Sequence, residues 1–185
     1  MFASALNRIE TSASAVMTQR ARAMRNAGRD VLALSMGQPD FDTPEHIKDA
    51  AKAAMDRGET GYPPLAGTEV LKRAIQEKFK RENSLDYDVD QILVSNGGKQ
   101  IIFNAFAATI NPGDEVIVPA PYWVSYPDIV KYTGGTPVFV ETELQNGFRL
   151  TASALEAAIT AKTRWLVLNS PNNPSGGCYR PEDLM

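Results

Sequence analysis

The chain has 185 residues, 43% of them hydrophobic and 22% charged, with a formal net charge of -3. That length can bury a substantial core, and the composition is that of a globular protein, not a disordered one. Interspersed charges without a basic stripe speak against a nucleic-acid partner, no window approaches the roughly 18 apolar residues of a membrane span, and one Cys with one His excludes an internal disulfide and disfavours both the usual zinc site and a Ser-His-Asp triad.

Arg8, Arg20, Arg22, Arg25 and Arg29 give the amino terminus a basic cast that suggests a transit peptide, but Glu10 and a weak apolar run favour an amphipathic helix over 11–27, stopped by Gly28. A short apolar segment, 31–34, follows. Thr43 as cap and Pro44 in the first turn predict a helix over 44–57, which leaves His46 on its surface. A further helix is predicted over 68–82, and the first ninety residues contain no strand ladder. From there the pattern alternates. Ile92-Leu93-Val94 reads as a strand, Gly97-Gly98 as a break, and 99–110 as a helix apolar nearly all round. Pro112-Gly113-Asp114 turns into a second strand at 115–118. A short helix after Trp123 ends at Gly134-Gly135, a third strand lies near 137–140, a helix capped by Thr151 or Ser153 follows, and a fourth strand spans 164–168. Strands alternating with helices predict an α/β fold, a mostly parallel sheet with helices on both faces, preceded by a helical amino-terminal segment.

Two junctions carry chemistry. After the run Trp165-Leu166-Val167-Leu168 comes Asn169-Ser170-Pro171-Asn172-Asn173-Pro174-Ser175-Gly176, where two prolines fix the backbone while Asn172 and Asn173 offer amide donors and acceptors. Such a loop at the carboxyl edge of a sheet suits a ligand. Gly97-Gly98-Lys99 lies where a strand hands over to a helix, and free amides with the positive end of the helix dipole favour a phosphate there. Neither a dinucleotide fingerprint nor a P-loop is present. Cys178, flanked by Gly177 and Tyr179, reads as filler, and Trp123 sits between Pro121 and Pro127 in a loop after the second strand.

Four segments resemble, in order and approximate spacing, the class I aminotransferases: Ser35 to Pro44 (SMGQPDFDTP), Gly61 to Gly67 (GYPPLAG), Pro121 to Pro127 (PYWVSYP) and the Asn169 loop. The likeness is to fold-type I enzymes dependent on pyridoxal 5′-phosphate, nearest the bacterial aspartate aminotransferase branch. It implies an arm and part of a small domain over 1–40 and the first part of the cofactor-binding large domain over 41–185. It also implies that the Gly98 and Lys99 amides bind the cofactor phosphate, that Trp123 stacks on the pyridine ring and that Asn173 donates to the phenolic oxygen. Tyr62 resembles a tyrosine that reaches the phosphate of a neighbouring subunit, hence a homodimer. Gly37 resembles a glycine whose backbone meets the substrate α-carboxylate. Lys99, where many relatives carry a small hydroxyl residue, would favour a second carboxylate by charge attraction. Ser175 replaces the threonine commonest after Asn-Pro.

In that family the Schiff-base lysine, an aspartate facing the pyridine nitrogen and an arginine gripping the substrate carboxylate lie beyond the asparagine-proline loop. No lysine follows Lys162 here, so no catalytic residue is assigned. The resemblance implies transamination between an amino acid, aspartate foremost, and a 2-oxo acid, 2-oxoglutarate, while composition and charge predict a cytoplasmic, small-molecule protein. It further implies that the chain is an incomplete and inactive piece whose first strand has lost its neighbours. Alternatives are a prephenate or aromatic aminotransferase, a fold-type I lyase or aminocyclopropane carboxylate synthase, and a non-catalytic ligand-binding module.

Overall fold

The structure, a computed structural model, describes residues 2–185. It forms two compact units, one comprising the chain up to Met36 together with Ile102–Met185, the other Gly37–Ile101.

The first unit is built on a three-stranded parallel sheet, β1 (Glu115–Ala120), β2 (Thr136–Glu141) and β3 (Thr163–Leu166), in the order β2-β1-β3. β1 is central, pairing Ile117 with Val138 on one side and with Leu166 on the other. Successive side chains of a strand point to opposite faces. Val116, Ile117 and Val118 are all fully buried, so both faces of β1 are covered. This explains its unbroken apolar run, and each such residue contributes roughly 1.5–3 kcal/mol by leaving water.

On one face, Val116 and Val118 join a core with Phe106 and Ile110 from the end of α4 (Gly98–Thr109) and Tyr126, Ile129 and Val130 from α5 (Ser125–Thr133). Trp165 of β3 completes it, edge-on to Phe106 at 5.5 Å, with its indole N–H donated to Thr109 Oγ1 at 2.9 Å. α5 ends at Gly134, whose φ of 100° only glycine adopts readily, as its place in the sequence predicts. A β-carbon on Gly135 would stand 2.9 Å from Ile110 Cγ2, so the close return of the chain here requires glycine. α6 (Ala152–Ala158) packs on β2 and is capped by Thr151, one of the two predicted caps, which accepts from Ala154 N at 3.2 Å. α1 (Ala13–Asn26) ends just before Gly28, as predicted, and a 3-10 turn at Ser4–Arg8 rests on α5, with Arg8 donating to the Tyr132 carbonyl.

The second unit is helical. α2 (Glu45–Asp56) starts one residue later than predicted, with Pro44 at the cap position; Thr43 is not the cap, and its amide instead donates to Asp42 Oδ1. α3 (Glu69–Asn83) is capped by Thr68, and its Gln76 donates to the Tyr87 carbonyl at 2.6 Å. The predicted first strand, 92–94, is not formed. Ile92 has an extended backbone and Val94 N bonds to the Ala66 carbonyl, but no strand among the described residues pairs with this segment. A strand is defined by its partner, and an apolar run alone does not supply one. Leu93 and Val94 line an apolar groove of about 850 Å³ with Ile75, Phe79, Tyr87 and Ile101.

Candidate active site

In an open parallel sheet, ligands collect outside the carboxyl ends of the strands. Two segments of the first unit leave those ends side by side. β1 runs through Ala120 into Pro121-Tyr122-Trp123, and β3 leads through Val167 into the loop 169–177. Val167 N still bonds to the Ile117 carbonyl, which keeps the loop's root in the sheet. Cis peptide bonds precede Pro121, Pro171 and Pro174.

Asn172 joins the two segments. Its side-chain amide donates to the Pro121 carbonyl at 2.9 Å and to Ser175 Oγ at 2.8 Å, its backbone N–H donates to the Gly177 carbonyl and its carbonyl accepts from Gly176 N, both at 2.8 Å. The following asparagine differs. Asn173 gives its backbone N–H to Asn169 Oδ1 at 2.9 Å, its residue is exposed, and no hydrogen-bond partner is seen for its side-chain amide among the described residues. Ser170 Oγ accepts from Tyr179 N, and the Tyr179 hydroxyl accepts from Leu150 N, anchoring the far side of the loop. Trp123 is half-buried and stands edge-on to Tyr126, ring centroids 5.3 Å apart. Burial raises the Tyr126 phenol above its ordinary pKa, so it stays neutral under Trp123.

The remaining sequence-predicted residues belong to the second unit. Gly98 is the first residue of α4, where amides have no preceding turn to bond to, and Lys99 follows it on an exposed stretch. Gly97 has a φ of 84°, and a β-carbon at Gly97 or Gly98 would meet nothing within 4 Å, so this helix end is open to an approaching anion. Gly37 and Tyr62 lie on exposed irregular stretches, and a β-carbon on Gly37 would also meet open space.

The model of the family described as aminotransferase class I and II matches residues 29–185. The chain belongs to that family. Among curated proteins, the aspartate/prephenate aminotransferase of Cereibacter sphaeroides is 55% identical over 179 residues, which is 97% of this chain and 45% of that protein. The crystal structure of the aspartate aminotransferase of Rhizobium meliloti superposes with a TM-score of 0.94 at 54% identity, covering 99% of this chain and 46% of that one. The Thermus thermophilus aspartate aminotransferase with maleate gives a TM-score of 0.95 at 46% identity, covering 100% and 48%. The chain therefore spans about half the length of the relatives it matches, and its parallel α/β sheet is the amino-terminal part of the fold-type I architecture.

Membership implies pyridoxal 5′-phosphate as cofactor. Taken unit by unit, the residues present suit parts of it: the second unit has an open glycine-bearing helix start of the kind that takes a phosphate, and the first has a half-buried indole suited to an aromatic ring and an uncommitted amide on Asn173 suited to a ring oxygen. Among the described residues no cluster of His, Cys, Asp and Glu could hold a metal ion, and no helix is long and apolar enough to cross a membrane. Sequence reasoning assigned the loop's rigidity to its prolines and missed the framing bonds of Asn172, Ser175 and Asn169. The recurrence of asparagine at 169, 172 and 173 was the available signal, since asparagine side chains bond nearby backbone in turns.

Proposed function

We propose that the protein to which this chain belongs is a cytoplasmic aminotransferase that moves the α-amino group of aspartate to 2-oxoglutarate, and that these 185 residues form its amino-terminal arm, part of a small domain and the first part of its large domain. The observation that supports this most directly is the identity of 55% over 97% of the chain to a protein named aspartate/prephenate aminotransferase. The same name supports prephenate as a second amino-group acceptor.

Pyridoxal 5′-phosphate, when bound, supplies the carbonyl that takes up the amino group and the conjugated ring that accepts electrons from the α-carbon. The Gly98 and Lys99 amides hold the phosphate, their dipoles directed by the helix. Trp123 covers a ring face and excludes water. Asn173 donates to the phenolic oxygen, and the Gly37 backbone receives the substrate α-carboxylate. Tyr62 serves the phosphate of the partner subunit in a homodimer, and the Lys99 ammonium draws the second carboxylate of a dicarboxylic substrate. None of these 185 residues is assigned the proton-moving role.

The test uses the full-length enzyme. Single-turnover amino transfer from aspartate and from alanine is compared in wild type and Lys99→Ala. The aspartate preference is expected to fall about tenfold or more, the equivalent of one hydrogen bond to a charged group. An unchanged ratio removes Lys99 from substrate selection, and no transfer from either amino acid in wild type removes the aminotransferase reading.

A further inference from the structure

We infer that Asn172 is a positioning residue for Asn173 and for the segment bearing Trp123, a proposal that rests on the cofactor-binding reading above. Both hydrogens of its amide are spent, one on the Pro121 carbonyl two residues before Trp123 and one on Ser175 Oγ inside its own loop. Its backbone closes the loop on Gly176 and Gly177. The loop therefore cannot shift relative to the carboxyl end of β1 without breaking the Asn172–Pro121 bond. A carbonyl following a strand end would otherwise need water or another donor, so loss of the amide leaves an acceptor in a half-buried position unsatisfied.

Two neighbours of identical chemistry thus take opposite parts. Asn172 is half-buried and its donors are engaged, while Asn173 is exposed with its side chain uncommitted. Asn169 adds the second restraint, since its Oδ1 receives the Asn173 backbone N–H and fixes where that residue's side chain starts. Pinning a donor this way lowers the ordering cost when it meets a ligand oxygen. Gly177 tightens the same frame: a β-carbon there would lie 2.5 Å from the Gly147 carbonyl, so the strand of chain that receives the Asn172 amide has no room to move toward 147.

The test is a double-mutant cycle in the full-length holoenzyme with Asn172→Asp, which keeps shape but removes both donors, and Asn173→Ala. The first readout is the pH midpoint of the bound cofactor's visible absorption. Donation to the deprotonated oxygen favours that form, so misplacing Asn173 raises the midpoint. The second is the cofactor dissociation constant, and the third is the melting temperature of the apo-protein. Asn172→Asp is expected to raise the midpoint and to weaken cofactor binding about tenfold, the equivalent of one lost hydrogen bond. In the Asn173→Ala background the same substitution is expected to leave the midpoint unmoved, because coupled residues are non-additive. A lowered melting temperature with an unmoved midpoint, or an equal midpoint shift in both backgrounds, overturns the proposal. If Asn172→Asp yields no folded holoenzyme, Asn172→Ser, too short to reach both acceptors, takes its place with the same criteria. A wild-type protein that takes up no cofactor refutes the cofactor reading itself, a result distinguishable from either outcome of the cycle.

Discussion

Three consecutive residues of β1 lose all contact with water in the unit that carries the sheet, whereas in residues 37–101 Ile92 alone is buried among the described residues. The first unit is held by apolar packing around a central strand. The second is held by local polar devices: the Thr68 cap, the Gln76 bond to the Tyr87 carbonyl, and Lys48 bridging Asp42 and Glu45 at 2.8 Å each. The contrast teaches where substitutions are costly. Exposed ion pairs of this kind contribute little each, and helices that are mostly exposed tolerate change that a close-packed sheet does not.

The largest effect is expected at the core. Phe106→Ala removes a ring that is 3% exposed and stacked edge-on against Trp165, and is expected to cost ~3–5 kcal/mol in a denaturant titration. A loss below about 1 kcal/mol, the scale of a surface substitution, would break the contrast between the two units. Gly67→Ala should be the worst single-methyl change in the second unit. Gly67 has a φ of 100°, and the added carbon would stand 2.7 Å from Val94 Cγ2, so the strain and the collision together are expected to cost about 1–3 kcal/mol. Thr68→Ala comes next, about 1 kcal/mol for the lost cap at the start of α3.

The same contrast explains what could be read from sequence. β1 and β2 were legible because Pro112-Gly113-Asp114 and Gly134-Gly135 punctuate short apolar runs, and a buried parallel strand needs no more than that. Helix ends at Gly28 and Gly134 were legible for the same reason. Ile92-Leu93-Val94 has the composition of a strand, yet Leu93 is 60% exposed and the segment pairs with none, because a ladder depends on a second segment that composition does not name. Thr43 lost the cap to Pro44 by a single residue, a shift within the usual play of helix ends. The loop at 169–177 and, in the other unit, the glycine-bearing helix start at 97–99 are each legible as motifs. The division of labour between Asn172 and Asn173 was visible only in part, since position relative to Pro174 separates the two but hydrogen-bond geometry alone shows that Asn172 is consumed in holding the loop.

The smallest effect tests whether charge pairing adds anything to the packed unit. Near the end of the described chain, Asp183 accepts from Arg180 through its backbone N–H at 2.8 Å and through Nε and Nη2 at 3.1 and 2.9 Å. Arg149 Nε lies 3.4 Å from the same carboxylate, near enough for attraction but not aligned for a hydrogen bond. These bonds to Arg180, with the added charge of Arg149, lower the Asp183 pKa from 3.8 to about 2. A carboxyl whose folded pKa lies below its unfolded value stabilises the fold above the unfolded pKa, and the contribution fades as pH falls toward the folded one. Asp183→Asn should therefore unfold at a slightly lower denaturant concentration than wild type at neutral pH, with the difference constant down to pH 3.8 and closing as pH approaches about 2. A difference that persists at the acid end would show that Asp183 acts as a hydrogen-bond acceptor whatever its charge. No difference at any pH would place this cluster with the exposed pairs of the second unit and leave apolar packing as the sole distinction between the two.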